Sequence, residues 1–302
     1  MASLQDHPRC TVPHTFNGGS VQLSLTSLSR EGLVGESTDV TGLYGWHAGH
    51  LLAELLASRA ALVRDTSVLE LGCGTGLLGS VCCALGASRV CLTDAAAAVL
   101  QQAEANARSA GGAGCRTSVS CAQLEWGDVA AEAALLGRPA AFFNLALAAE
   151  VLYHHRQGGG GSIEEQAAAL VGCAGRMLAG AAGCTRAGGT GGRACGVLLL
   201  CYTPRYSGGM GAAVRRGAES AGATLFTLRR DEVQDASMAA SLRFGRTRLA
   251  AASQCSGCLK AWMASAALTP GGIDDDDVEE CGEWESAQDV LAGVPAVGAE
   301  GE

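Results

Sequence analysis

Apolar residues recur at helical spacing from Ala48 through Leu62, in AGHLLAELLASRAAL, and this stretch predicts a helix rich in good helix formers. Short apolar runs then alternate with longer amphipathic ones. Strand Ser67–Leu71 leads into a helix over Leu77–Ala84, and strand Arg89–Thr93 into a helix over Ala95–Ala107. Strands follow at Thr117–Cys121 and Ala141–Ala148. After the connector Gly158–Gly161 come a helix over Ile163–Leu178, a buried strand Val197–Tyr202, a helix over Gly211–Ala221 and a strand Thr224–Leu228. Ahead of all these, Val21–Leu25 alternates as a half-buried edge strand would. Repeated strand-helix units specify an α/β fold with a mainly parallel sheet. Beyond residue 230 the pattern assigns no element, and no internal repeat is visible.

With 302 residues, 48% of them apolar, the chain is long enough to bury one large α/β core. No run reaches the length of a membrane span, and MASLQDHPRC lacks the layout of a signal peptide, so a soluble, cytoplasmic protein without membrane partners is expected. The formal charge of −9 is unevenly spread. Residues 271–302 hold eleven Asp or Glu and no Lys or Arg, which leaves 21 basic against 19 acidic residues, a net +2, in residues 1–270. This tail is too self-repelling to pack. A core so nearly neutral, without a basic stripe interleaved with aromatics, argues against nucleic acid as a partner. The fourteen cysteines lie scattered through apolar runs and read as small buried hydrophobes. Cys255 and Cys258 have zinc-ligand spacing, but no second Cys-x-x-Cys or histidine pair accompanies them, so no metal is expected.

VLELGCGTGLLG, residues 68–79, carries the most chemistry: a strand ends in a glycine turn that opens a helix. Gly74, Gly76 and Gly79 satisfy G-x-G-x-x-G, and Asp94 ends the next strand, as in dinucleotide sites. Glu70 weighs against a pyrophosphate, because a carboxylate would repel it while attracting a ligand with an ammonium and a sulfonium; S-adenosylmethionine (AdoMet) carries both. Gly72, Gly74 and Gly76 would let backbone approach the ligand, and Asp94 could accept hydrogen bonds from ribose hydroxyls. A turn that merely packs helix on strand, or one that binds a dinucleotide, is the competing reading.

GLYGWHAGHLLAE, LELGCGTGLLG, LTD, LEWGD and AEVLY, in this order and spacing over residues 38–205, resemble the family-16 seven-β-strand protein methyltransferases. Thr41-Gly42-Leu43, Trp46, Leu51 to Glu54 and QLEW look most like the branch that methylates a lysine of eukaryotic elongation factor 2. The resemblance implies a class I AdoMet methyltransferase: a Rossmann-like, seven-stranded, mostly parallel sheet with helices on both faces. It implies a methyltransferase domain over residues 38–265, an N-terminal extension over 1–37, a lysine side chain of a protein as substrate, and a monomer. By the same resemblance Trp46 lies near the methionine end of AdoMet, Glu70 and Gly72 on its amino acid part, Asp94 on the ribose and Trp126 against adenine.

Glu150 and Tyr153 follow the fourth strand, where open α/β sheets place their clefts. The family carries there an acidic-x-x-Tyr motif, usually with Asp first and another Asp six residues earlier; here those places hold Glu150 and Asn144. Glu150, counted with both the cofactor and the substrate residues, would hold the lysine ammonium, and Tyr153 would shape the channel around its stem. His154 and His155 read as solvated loop residues, and Tyr202, Thr203 and Arg205 as lesser candidates for the substrate side. Methylation of a histidine or a small molecule, a non-catalytic AdoMet-binding protein and a nicotinamide-dependent oxidoreductase stand as alternatives.

Overall fold

A computed structural model describes residues 9–28, 47–137, 142–153, 161–178, 195–204, 209–228 and 248–268. Its centre is a seven-stranded sheet built from β3 (Ser67–Leu71), β4 (Arg89–Asp94), β5 (Ser118–Gln123), β6 (Leu145–Ala149), β7 (Val197–Tyr202), β8 (Thr224–Thr227) and β9 (Arg248–Ser253). The strand order is β5-β4-β3-β6-β7-β9-β8, with every pair parallel except β7 with β9 and β9 with β8. An all-parallel dinucleotide sheet would continue without that antiparallel insertion. The sheet otherwise agrees with the fold the strand-helix alternation predicts.

Side chains alternate between two cores, as the period of two in a strand requires. Val68, Val90, Leu92, Leu145, Leu147, Val197 and Leu199 face one core; Leu69, Leu71, Cys91, Ala146, Ala148, Leu198 and Leu200 face the other. The first core is closed by α1 (His47–Ser58), α2 (Leu77–Ala84), α3 (Ala97–Ala110) and α7 (Ser256–Ser265). The second is closed by α4 (Val129–Leu136), α5 (Ile163–Met177) and α6 (Met210–Ser220). Strands buried on both faces explain why they read as short continuous apolar runs.

Several elements depart from the sequence pattern, among them β9 and α7, which lie beyond residue 230 where the pattern assigns none. The helix expected through Leu62 ends at Ser58, and Ala60–Leu62 forms a separate 3-10 turn after Arg59, whose φ of −127° leaves the helix. The predicted edge strand extends to Val21–Leu28 and pairs with an unforeseen β1 (Arg9–Phe16) as an antiparallel hairpin. Helix α4 was also unforeseen, although Asp128 caps it through the amides of Ala130 and Ala131. The strand expected from Ala141 begins only at Leu145. Helix α5 starts on a capping box, Ser162 with Glu165, and the alternating patterns elsewhere give bounds within a few residues of those observed.

Two buried polar groups fasten the hairpin to this frame. Asn106 of α3 accepts from the Thr26 amide (3.0 Å) and donates to the Thr26 carbonyl (3.0 Å) and the Thr75 carbonyl (2.8 Å), so one side chain joins hairpin, helix and glycine turn. Glu54 of α1 accepts from the Asn17 amide with both carboxylate oxygens (3.0 and 2.9 Å). Among the described residues, no helix is long and apolar enough to cross a membrane. Seven of the described cysteines are buried and none of the twelve is in a disulfide.

Candidate active site

The strand order reverses between β3 and β6, where β3 is followed on one side by β4 and on the other by β6. Chains leaving these carboxyl ends diverge to opposite faces and leave a crevice, the general ligand site of open α/β sheets. The glycine turn after β3, Asp94 at the end of β4 and Glu150 after β6 all lie at this edge.

Gly72 and Gly76 are the turn positions at which a side chain is excluded. Gly72 has φ +71°, and a Cβ there would stand 2.5 Å from Cγ1 of Val151; Gly76, at φ +76°, caps α2 with its would-be Cβ 2.9 Å from the Ala103 carbonyl. Gly74 donates its amide to one oxygen of Asp94 (3.0 Å), whose other oxygen accepts from Ala96 (2.9 Å). Asp94 thus positions the turn while each carboxylate oxygen keeps a lone pair for a further donor. Burial raises the Asp94 carboxyl above its ordinary range, against the Ala96, Gly74 and Ala95 amides that lower it.

Glu70 has a different place from the one its charge suggested. Its side chain is buried and accepts from the Gly79 amide in the first turn of α2 (2.8 Å), and burial pushes its carboxyl up to about 8 despite the Gly79 and Leu78 amides. The Gly79 bond makes Glu70 a group that fixes helix on strand at the base of the glycine turn. Thr93, beside it, donates to the Glu70 carbonyl (2.7 Å) and braces the same strand end.

Trp126, between β5 and α4, packs half-buried on the second core, with its Cζ2 3.7 Å from the position a Gly72 Cβ would occupy. The indole is therefore brought to the glycine turn from a strand that is not its neighbour in the sheet.

Glu150 adopts φ +55°, the left-handed region that costs a non-glycine residue about 1–3 kcal/mol and that clusters at functional sites. The surrounding bonds enforce it: its amide donates to the Cys201 carbonyl (2.9 Å), and its buried carboxylate accepts from the Thr203 hydroxyl. Tyr153, three residues on, is held through its backbone, which accepts from Nε2 of Gln166 (3.0 Å) and donates to Oε1 of the same side chain (3.2 Å). Gln166 escaped the sequence reading, although the capping box beside it marks the helix start that brings it there. Thr203 moves from a lesser candidate to a direct partner of Glu150, and Tyr202 is buried in the second core.

Asn144 lies away from this crevice. It precedes β6 at the opposite, amino end of the sheet, where its Oδ1 accepts from the Ser67 amide (3.1 Å) and hydroxyl (3.0 Å). Six residue steps of extended chain at about 3.3 Å each put it on the order of 20 Å from Glu150, so it does not touch the crevice. Trp46, His154, His155 and Arg205 lie outside the described residues.

Residues 33–157 match the family model described as lysine methyltransferase. Protein-lysine N-methyltransferase EFM3 of Chaetomium thermophilum is 32% identical over 155 residues, 48% of this chain and 44% of that protein. Protein-lysine N-methyltransferase EEF2KMT of Mus musculus is 33% identical over 162 residues, 50% of this chain and 44% of that protein. The chain thus spans less than half the length of these curated relatives. Among solved structures, that of SMU.776, described as a candidate methyltransferase complexed with SAH, matches with a TM-score of 0.50 at 12% identity, over 80% of this chain and 55% of that one. Over residues 33–157, which hold the glycine turn, Asp94, Trp126, Glu150 and Tyr153, the chain is matched to the lysine methyltransferase family, within the fold of class I methyltransferases.

Proposed function

We propose that this chain is an AdoMet-dependent protein-lysine methyltransferase whose substrate is a translation elongation factor. The observation that carries the reading is the meeting of the glycine turn, Asp94 and Glu150 at the strand-order reversal, inside the segment matched to that family. The names of the two curated relatives support the choice of a protein lysine, and that of the mouse protein the choice of an elongation factor.

AdoMet, when bound, supplies an electrophilic methyl group. The turn Gly72–Gly76 and Asp94 bind it, with Gly72 leaving space beside Trp126 and Asp94 accepting from its ribose. Trp126 offers a flat apolar face to the base. Glu150, anchored by Thr203, holds the incoming lysine ammonium by a charge-assisted hydrogen bond, and Tyr153, pinned by Gln166, lines the stem. The amine must shed one proton to solvent before its lone pair attacks in line, and a water-poor channel favours that loss. Trp46 is assigned to the methionine end of the cofactor by family resemblance alone. The domain spans residues 38–265 and works as a cytoplasmic monomer without nucleic acid.

Titration calorimetry with AdoMet, its demethylated product and NAD tests the cofactor; micromolar uptake of the first two and none of NAD is expected. Glu150→Gln keeps the Thr203 contact but removes the charge, and should lower methyl incorporation into elongation factor at least about 100-fold while AdoMet affinity stays within about threefold. Folded protein that takes up no AdoMet, or Glu150→Gln with full transfer, would overturn the reading.

A further inference from the structure

The Cys-x-x-Cys of residues 255–258 gains a third cysteine in the fold. Cys195, just before β7, comes from sixty residues earlier, and the sulfurs of Cys195, Cys255 and Cys258 all lie within 4.8 Å of one another. Three thiolates around a zinc ion, at Zn–S distances near 2.3 Å, sit about 3.8 Å apart, so little motion closes the cluster on an ion. The backbone beneath them is already tied. Ser253, buried at the end of β9, donates its hydroxyl to the Gly196 carbonyl (3.1 Å) and accepts from the Cys255 amide (3.3 Å), so one side chain sets the spacing of two ligand segments. Cys195 is 6% exposed, while Cys255 and Cys258 are half-buried, which gives an ion a route in. Cys255 is the residue before α7 and Cys258 sits in its first turn, so the start of that helix fixes the spacing of both.

We propose that Cys195, Cys255 and Cys258 form a site for a single Zn²⁺, with water as fourth ligand, on the sheet edge away from the methyl-transfer crevice. Binding exchanges three thiol protons, released to solvent, for three Zn–S bonds with no change of oxidation state. Sulfur-only donors of this number select a thiophilic ion over magnesium or calcium. The site lies at the amino end of β7, about 20 Å along that strand from Thr203, so its role is to fasten the entry of β7 to the β9–α7 turn. It stands or falls independently of the crevice's function.

The full chain, reduced and stripped with a chelator, is loaded with Zn²⁺ alone and dialysed, and affinity is read by competition with a chromophoric chelator. One retained ion per chain is expected. Each of Cys195→Ser, Cys255→Ser and Cys258→Ser should weaken binding at least about tenfold, while the exposed Cys10→Ser and Cys115→Ser change nothing. Co²⁺ loading should give a thiolate-to-metal charge-transfer band that weakens with each lost ligand, and Zn²⁺ should protect Cys255 and Cys258 from alkylation. Circular dichroism checks folding; should Cys195→Ser fail to fold, the more accessible Cys258→Ser carries the test. No retained ion, retention untouched by these three substitutions, or a Cys255–Cys258 disulfide whose reduction restores no metal uptake would overturn the proposal.

Discussion

Gly72→Ala separates two costs that a positive-φ glycine combines. The first is backbone: an L-residue in the left-handed region costs about 1–2 kcal/mol. The second is space, since the new methyl would stand 2.5 Å from Cγ1 of Val151, a buried, branched side chain with little freedom to turn. Overpacking of this kind costs about 1–3 kcal/mol, so the sum is about 2–5 kcal/mol, a loss a domain of ordinary stability can survive with a measurable transition. Gly112 provides the control, because its φ of +67° is nearly the same and nothing lies within 4 Å of its would-be Cβ. Gly112→Ala should therefore cost the backbone part alone. Val151→Ala removes the clashing methyl, leaving the Val151 Cβ at 3.4 Å, an ordinary contact. In urea unfolding at neutral pH, the double variant Gly72→Ala with Val151→Ala should recover about 1–3 kcal/mol relative to the summed single variants. Calorimetric AdoMet affinity should fall in Gly72→Ala, since Val151 adjoins Glu150. Equal costs at Gly72 and Gly112, or strict additivity with Val151→Ala, would refute the reasoning.

Asn106→Leu strands the Thr26 and Thr75 carbonyls and should cost about 2–4 kcal/mol in denaturant unfolding, with AdoMet binding weakened about tenfold through the loosened glycine turn. The Glu132 carboxylate is buried, which raises its pKa, yet the paired Arg176 holds it below the ordinary range. Arg176→Met should then cost about 2–3 kcal/mol, discounted because the arginine side chain is 43% exposed, and adding Glu132→Leu should restore most of the loss. Burial and the neighbouring His50 lower His14 from 6.5 to about 4, so the unfolded chain binds the extra proton between these values. Its contribution, on the order of 2 kcal/mol after discounting for partial exposure, is present above pH 6.5 and is lost as pH falls through 4; His14→Gln should flatten unfolding free energy over that window relative to the unmodified chain.

Local pattern alone determined a good deal of this protein. Strands Ser67–Leu71 and Val197–Tyr202 and helix Leu77–Ala84 have the bounds their periodicity predicts, because burial on both sheet faces leaves a strand no choice but a continuous apolar run. The glycine turn and Asp94 were legible because positive φ and a strand-end carboxylate are local requirements. Tertiary structure decided the rest. Glu70 reads in sequence as a charge facing a ligand, but only the packing of α2 on β3 sends it to the Gly79 amide and desolvates it. Asn144 and Glu150 are six residues apart in sequence, yet a strand carries them to opposite ends of the sheet. Thr203, Gln166 and Asn106 act through partners 53, 13 and 31 or more residues away, and Cys195 meets Cys255 and Cys258 through the antiparallel pairing of β7 with β9. No window along the chain holds such contacts, because they depend on which strands lie side by side, and that order is set by how the two cores close around the sheet.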